Sequence, residues 1–224
     1  MPDAELFLHR AGVIDADDRA RWVQGAYAAR AGWTPCFEGV QFTLGNAYYT
    51  HLEEDRADAY FAAARVSDAL VEHALPGMQA RVRALLADLL GAPVVPRAGW
   101  CGPGLHIFPA GQWLSRHGGD VHFDTEGLLA PELAARVPAL SAIVMLQPAR
   151  AGGGLRVWDA TYDGQPSVAH PERIPSAFVD YGAGDLVIID SYRLHQIQPF
   201  SGDRDRLSIT AHVVLGAAGW QCWF

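Results

Sequence analysis

Residues 181–213 read YGAGDLVIIDSYRLHQIQPFSGDRDRLSITAHV, and this stretch decides the fold. Gly184-Asp185 marks a turn. LVIID at 186–190 has the aliphatic content and length of a buried strand. His195 opens a further strand, and FSGDRD at 200–205 has the composition of a hairpin loop. Arg206, Ser208, Thr210 and His212 then alternate with Leu207, Ile209, Ala211 and Val213. Successive strand side chains point to opposite faces, so one face here is polar and carries an arginine while the other is apolar. A polar inward face makes physical sense where it lines a pocket.

Outward from this stretch, short β-type runs broken by Gly, Pro and Asp begin near residue 92. They are GLHIFPA (104–110), DVHFD (120–124), LSAIVMLQ (140–147), LRVWDA (155–160), AFVDY (177–181), DLVIID, HQIQPF and RLSITAHVVL, with PELAARVP (131–138) as a short helix or turn. About eight such strands predict a mainly β sandwich, barrel or jelly roll. The chain ahead of them is helical in character. Segments 15–32, 53–75 and 77–91 carry Ala, Leu and Arg with apolar residues at helical spacing, and Pro76-Gly77 separates the last two. FTLGNAYYTHL at 42–52 reads either as a strand or as a lid. The expected organisation is one domain: 1–95 mainly helical support and lid, 96–215 the β core, and 216–224 a C-terminal tail whose WQCWF caps the core or forms an interface.

The 224 residues suffice for a sizeable apolar core, and half of them are hydrophobic against 19% charged, which excludes a disordered chain. A net charge of −8 argues against nucleic acid as partner, because phosphate binding needs clustered Lys and Arg. Cys36, Cys101 and Cys222 are far apart and odd in number, which fits free thiols in a reducing cytosol. No apolar stretch is long enough to span a bilayer and the N-terminus lacks a signal-peptide pattern, so a cytoplasmic protein with no membrane partner is expected. The oligomeric state is not legible.

GDVHFDTE at 119–126 places His122 and Asp124 two apart, which on a strand turns both to one face, where they can bind one metal or simply hydrogen-bond. His51-x-Glu53 and His170-x-Glu172 share the spacing, and both are expected to be surface polar pairs. His122-x-Asp124, the distal His195 and Arg206-Leu207-Ser208 together resemble the Fe(II)- and 2-oxoglutarate-dependent oxygenases, whose pattern is H-x-D, a distal His, and an Arg about ten residues later, often as R-x-S. GAGDLVIIDSYRLHQIQP and the Gly-Gly stretch GGGLRVWD at 152–159 look like the same family's strand–turn–strand and hairpin. The resemblance covers about residues 100–215.

The resemblance implies a double-stranded β-helix flanked by helices, with His122, Asp124 and His195 as iron ligands and catalytic centre, and with 2-oxoglutarate and O₂ as cosubstrates. Two histidines and a carboxylate on one face of ferrous iron leave the opposite face open for both. Arg206, with Ser208 on its strand face, suits the distal carboxylate of 2-oxoglutarate, since a planar guanidinium grips a carboxylate with two parallel hydrogen bonds. A carboxylate at 124, where related halogenases have a small residue, implies hydroxylation, or else desaturation or cyclisation. Trp113, Arg116, Trp158 and Tyr48 are candidate substrate contacts, each with core packing or exposure as the alternative; Asn46 and Tyr49 stand in the same aromatic stretch. His106 and His117 read as structural or exposed. A small molecule such as an amino acid or a biosynthetic intermediate is the expected substrate. Two alternatives stay open: a cupin-like metal-dependent dioxygenase or isomerase that does not use 2-oxoglutarate, and a non-catalytic binding module on the same fold.

Overall fold

The structure is a computed structural model and describes residues 6–224. The chain begins with β1 (Leu8–Arg10) and α1 (Ala16–Ala28), the latter capped by the Asp15 carboxylate accepting from the Asp18 amide at 2.8 Å. β2 (Thr34–Cys36) and β3 (Gln41–Leu44) lead to the short α2 (Tyr48–Glu53), then to α3 (Ala57–Ala74) and α4 (Met78–Leu90). β4 (Val94–Pro96), β5 (Gly104–Phe108), α5 (Trp113–His117) and α6 (Ala130–Ala135) follow. The remaining elements are strands: β6 (Ala139–Gln147), β7 (Ala151–Gly152), β8 (Leu155–Thr161), β9 (Ser176–Val179), β10 (Leu186–Asp190), β11 (Arg193–Ile197), β12 (Phe200–Ser201), β13 (Arg206–Gly216) and β14 (Gly219–Trp223).

A large sheet runs β1-β10-β6-β13-β5-β3-β2, with β14 also paired to β13 and β4 to β14; every pairing is antiparallel except β14–β4. A smaller antiparallel sheet, β11-β8-β9, faces it, and β12-β7 forms a two-stranded ribbon. Met145, Val187 and Ile189 of the large sheet pack with Leu155, Val157 and Val179 of the small one, so the two sheets close on each other.

The helices cover the other face of the large sheet. Trp22 and Ala26 of α1, Val71 and Ala74 of α3, and Met78, Val82 and Leu86 of α4 pack on Leu105, Ile107, Val144, Leu207, Ile209, Ala211 and Val213. The apolar half of the 206–213 alternation therefore enters the main core, and the polar half is turned between the sheets. No helix among the described residues is long and apolar enough to cross a membrane.

Four expectations need correction. The N-terminal part is not helical support alone: β1 extends the large sheet at one edge and β2–β3 at the other. Segment 42–52 is a strand only at its start, the end of β3, and continues as the helix α2. Residues 120–124 form no regular strand; a single antiparallel bridge joins His122 to His195, beside a register shift in β11 between Arg193 and His195. The C-terminus is not a tail. β14 folds back on β13 with Cys222, Trp223 and Phe224 buried, because alternating large residues after a Gly-rich turn satisfy both a ladder and a core.

Candidate metal centre and cavity

Reciprocal backbone hydrogen bonds set the site. His122 N donates to His195 O at 3.1 Å and His195 N donates to His122 O at 2.9 Å, which puts the two rings 4.2 Å apart. Asp124 is held by its amide, which donates to Ser191 O at 3.0 Å. Its two carboxylate oxygens lie 3.4 Å from His122 Nε2 and 3.4 Å from His195 Nε2. One donor atom from each of His122, Asp124 and His195 falls within 4.8 Å of the others. Phe123 and Leu194, of opposite parity, turn away and pack with Trp158.

The Nδ1 atoms of both histidines are occupied. His122 Nδ1–H donates to Asp120 O at 2.8 Å and His195 Nδ1–H to Arg193 O at 3.0 Å, which turns both Nε2 atoms toward the carboxylate. Burial opposes charge on Asp124, but His195, His122 and His212 outweigh it and hold its carboxyl well below the usual range. Desolvation likewise works to lower His122, yet the hydrogen bond and charge of Asp124 lift it to about 9. A divalent cation suits this cluster, because it replaces that proton with a stronger positive charge. His212, 3.9 Å from Asp124, is tied through Ser141 (3.1 Å) to Ser191 (3.0 Å), a chain of polar contacts behind the carboxylate.

The three groups open on a cavity of about 570 Å³ between the sheets. Arg206, Ser208, Thr210 and His212 all line it, as their alternation on β13 requires. Arg206 is 1% exposed. Its Nε donates to Gly153 O at 3.0 Å, Nη1 to Ser208 Oγ at 3.0 Å, and Nη2 to the Tyr181 hydroxyl. Phe108 and Tyr181 present ring faces to the guanidinium at 5.2 and 5.6 Å. Among the described residues it has no carboxylate partner; Asp203 pairs with Arg150, and Asp205 accepts from Tyr27 and the Ala110 amide. A buried guanidinium without a counter-ion is costly, so this end of the cavity is built for an anion.

The candidate substrate contacts divide. Trp113 lines the cavity and is 53% exposed. Arg116 does not line it; α5 buries Leu114 and Ser115 and turns Arg116 to solvent. Trp158 does not either. Leu155 faces the cavity, and Trp158, of opposite parity on β8, must point to the other side of the small sheet. Tyr48 faces away into an aromatic cluster with Trp100 at 4.6 Å and Tyr60 at 5.2 Å, whereas Tyr49 and Glu53, one helical turn apart, share the cavity face of α2. Nor is His51-x-Glu53 a surface pair: His51 is buried, with Nδ1 bonded to Ala47 O at 2.8 Å, and Glu53 lines the cavity. His170 and Glu172 are an exposed pair at 3.1 Å.

Among the polar cavity groups, sequence reasoning missed Tyr181, Gln41, Asp120 and Glu126, and read His106 only as structural or exposed. Glu126 was within reach, since Asp120, His122, Asp124 and Glu126 alternate in one stretch and all four line the cavity.

No protein-family model and no curated protein matches the sequence. Solved structures do match in three dimensions. The non-haem alpha-ketoglutarate-dependent carbocyclase SnoK from nogalamycin biosynthesis superposes with a TM-score of 0.62 at 14% identity, over 94% of this chain and 82% of its own. An N-substituted L-amino acid dioxygenase from Burkholderia ambifaria gives 0.60 at 15%, over 97% and 86%. The epimerase SnoN, in complex with Fe³⁺, alpha-ketoglutarate and nogalamycin RO, gives 0.57 at 18%, over 93% and 78%. At these identities the likeness establishes a common fold.

Proposed function

We propose that the protein is a non-haem Fe(II)- and 2-oxoglutarate-dependent dioxygenase built on a double-stranded β-helix, which hydroxylates an unactivated C–H of a small molecule. His122, Asp124 and His195 are the proposed iron ligands, and Arg206 with Ser208 the proposed seat of the cosubstrate's distal carboxylate. One observation carries the reading: a fully buried guanidinium with no carboxylate partner shares a cavity with a two-histidine, one-carboxylate cluster. Either group alone has other uses. Together they match the two ends of a 2-oxo dicarboxylate, and the fold is one on which solved neighbours bind iron and alpha-ketoglutarate.

Bound there, ferrous iron with a 2-oxo acid and dioxygen supplies the oxidising equivalents that break such a C–H bond. The chain's own task is placement. Carbonyls of Asp120 and Arg193 fix the imidazole tautomers, and Ser141 and His212 back the Asp124 carboxylate. Tyr181, Ser208 and Gly153 O occupy three of the guanidinium's donor directions and so orient its fork. Phe108, Ile143, Leu155 and Ile197 give the cavity apolar walls that exclude water and strengthen each charged contact.

Anaerobic calorimetry tests the reading. 2-Oxoglutarate is expected to bind the Fe(II)-loaded protein and to be turned over to succinate once oxygen is admitted. His195→Ala should abolish metal uptake. Arg206→Ala should retain metal and weaken 2-oxoglutarate binding by roughly tenfold or more, as for loss of a charge-assisted bidentate pair. Iron uptake with no affinity for 2-oxoglutarate would overturn the proposal in favour of a metal-dependent enzyme that needs no cosubstrate.

A further inference from the structure

The identity of the substrate's charged group is a further question, and the answer below rests on the oxygenase reading just given. The charges around the cavity fall into two sets. Asp124 and Arg206 belong with a divalent ion and a dianionic 2-oxo acid, and those four cancel. Glu53, Asp120 and Glu126 line the same cavity in addition. Among the described residues none of the three is in an ion pair. Arg206 is the only Lys or Arg on the cavity wall. The half of the cavity left for substrate is therefore lined by carboxyl groups with no paired cation among the described residues.

Burial locates these carboxylates. Arg206, Ser208 and His106 are buried, whereas Glu53, Asp120 and Trp113 are exposed, so Glu53 and Asp120 stand at the mouth, and Glu126 is half-buried. Trp113 joins them as an exposed aromatic ring stacked on His117 at 4.6 Å, and an indole face beside carboxylates is a favourable surface for a cation.

His106 adds no cation to the wall. It is 6% exposed and lines the cavity, and its Nδ1 is sealed from solvent with no hydrogen-bond partner. Burial, then the charges of His212 and Arg206, lower its pKa to about 3, so the ring is neutral and carries a single N–H. Its ring lines the cavity wall opposite Ser208 of β13 and adds no positive charge there.

We propose that the substrate is a small molecule bearing a cationic nitrogen, held by Glu53 at the cavity mouth and by half-buried Glu126, with Asp120 adding charge and Trp113 an aromatic wall. A carboxylate at that end of the substrate is repelled by the same groups, which makes the mouth selective as well as attractive.

The test uses three probes of similar shape and different charge: 2-phenylethylammonium, 2-phenylethanol and 3-phenylpropionate. Each is titrated by ligand-observed NMR into anaerobic Fe(II)-loaded protein saturated with 2-oxoglutarate, so that the carboxylate probe cannot report on Arg206. The ammonium is expected to bind at least about tenfold more tightly than the carboxylate, with the alcohol between and the difference shrinking in salt. Glu53→Gln and Glu126→Gln should each reduce the preference, and Glu53→Lys should shift it toward 3-phenylpropionate, a gain that loss of structure cannot produce. Glu53 is exposed, and melting curves verify that its variants fold. Equal binding of the three probes, binding of none, tighter binding of the carboxylate, or a preference untouched by every variant overturns the proposal. Calorimetry of 2-oxoglutarate on the same samples separates the two readings. Intact cosubstrate binding without charge preference removes only the cationic substrate, whereas charge preference without cosubstrate binding removes only the oxygenase.

Discussion

Arg206 is the residue whose environment says most. Its three hydrogen bonds go to a carbonyl, a serine hydroxyl and a tyrosine hydroxyl, none of which neutralises it. Arg206→Lys keeps the charge but loses the planar fork, and 2-oxoglutarate affinity in calorimetry is expected to fall about tenfold or more despite the retained cation. Gly153 belongs to the same device. At φ +80° it adopts a left-handed conformation, and an added Cβ would stand 3.2 Å from Phe200 Cβ and 3.3 Å from Arg206 Cδ. Gly153→Ala should therefore impair cosubstrate binding and lower the melting temperature together. His106 sets an acid limit. It is neutral in the fold down to about pH 3, while an exposed histidine in the unfolded chain protonates near pH 6.5. The unfolded state thus binds the extra proton, and stability is lost as pH falls from about 6.5 to about 3, at up to ~1.4 kcal/mol per pH unit from this residue. Buried His51 and His212, also lowered by desolvation, act in the same direction. Denaturant melts across that range should show a shallower acid limb for His106→Asn. At this scale the proposed ligand set and Arg206 were legible because each lies in a short motif of fixed spacing. Tyr181 and His106 were not, because a lone aromatic or histidine on a strand has no local sign of which side it serves.

At the scale of elements, β13 shows a strand carrying two jobs on its two faces. Leu207, Ile209, Ala211 and Val213 pack under the helices, while Arg206, Ser208, Thr210 and His212 face the cavity, and period-two alternation alone announces both. Parity also explains the failures. Trp158 and Leu155 differ by an odd number of positions, so once Leu155 is inside, Trp158 cannot be; Tyr48 and Tyr49 lie about 100° apart on α2, so only one can face the cavity. Periodicity says that two residues differ, and packing says which is in. β14 is the element most underrated by sequence. Phe224 is 1% exposed, its ring lies 2.1 Å from where a Cβ on Gly104 would stand, and its carbonyl accepts from the Tyr48 amide at 2.9 Å and the Tyr60 hydroxyl at 3.0 Å. Phe224→Ala should cost about 3–5 kcal/mol of stability in denaturant unfolding, the range for emptying a buried aromatic site.

Across the described residues, helices brace one face of the large sheet and the small sheet closes the other, with the cavity and its polar strand face between the sheets. The proposed metal cluster draws on segments more than 70 residues apart, so an ion bound there would cross-link them. Manganese(II), a redox-quiet stand-in, is expected to raise the melting temperature, by the equivalent of ~2.7 kcal/mol at a hundredfold excess over its dissociation constant. His195→Ala should erase the shift. The amino-acid order by itself determined the β-rich core, the helical lead-in, the H-x-D, distal His and R-x-S pattern, and the opposed faces of the 206–213 stretch, because each is a local matter of spacing and alternation. Only the tertiary structure decided that the N- and C-terminal strands join the sheet, that Tyr49 and Glu53 rather than Tyr48 and Trp158 face the cavity, and that three spare carboxyl groups line it. Those outcomes depend on which surfaces meet across the chain, and burial and charge convergence between distant segments leave no mark on any single stretch.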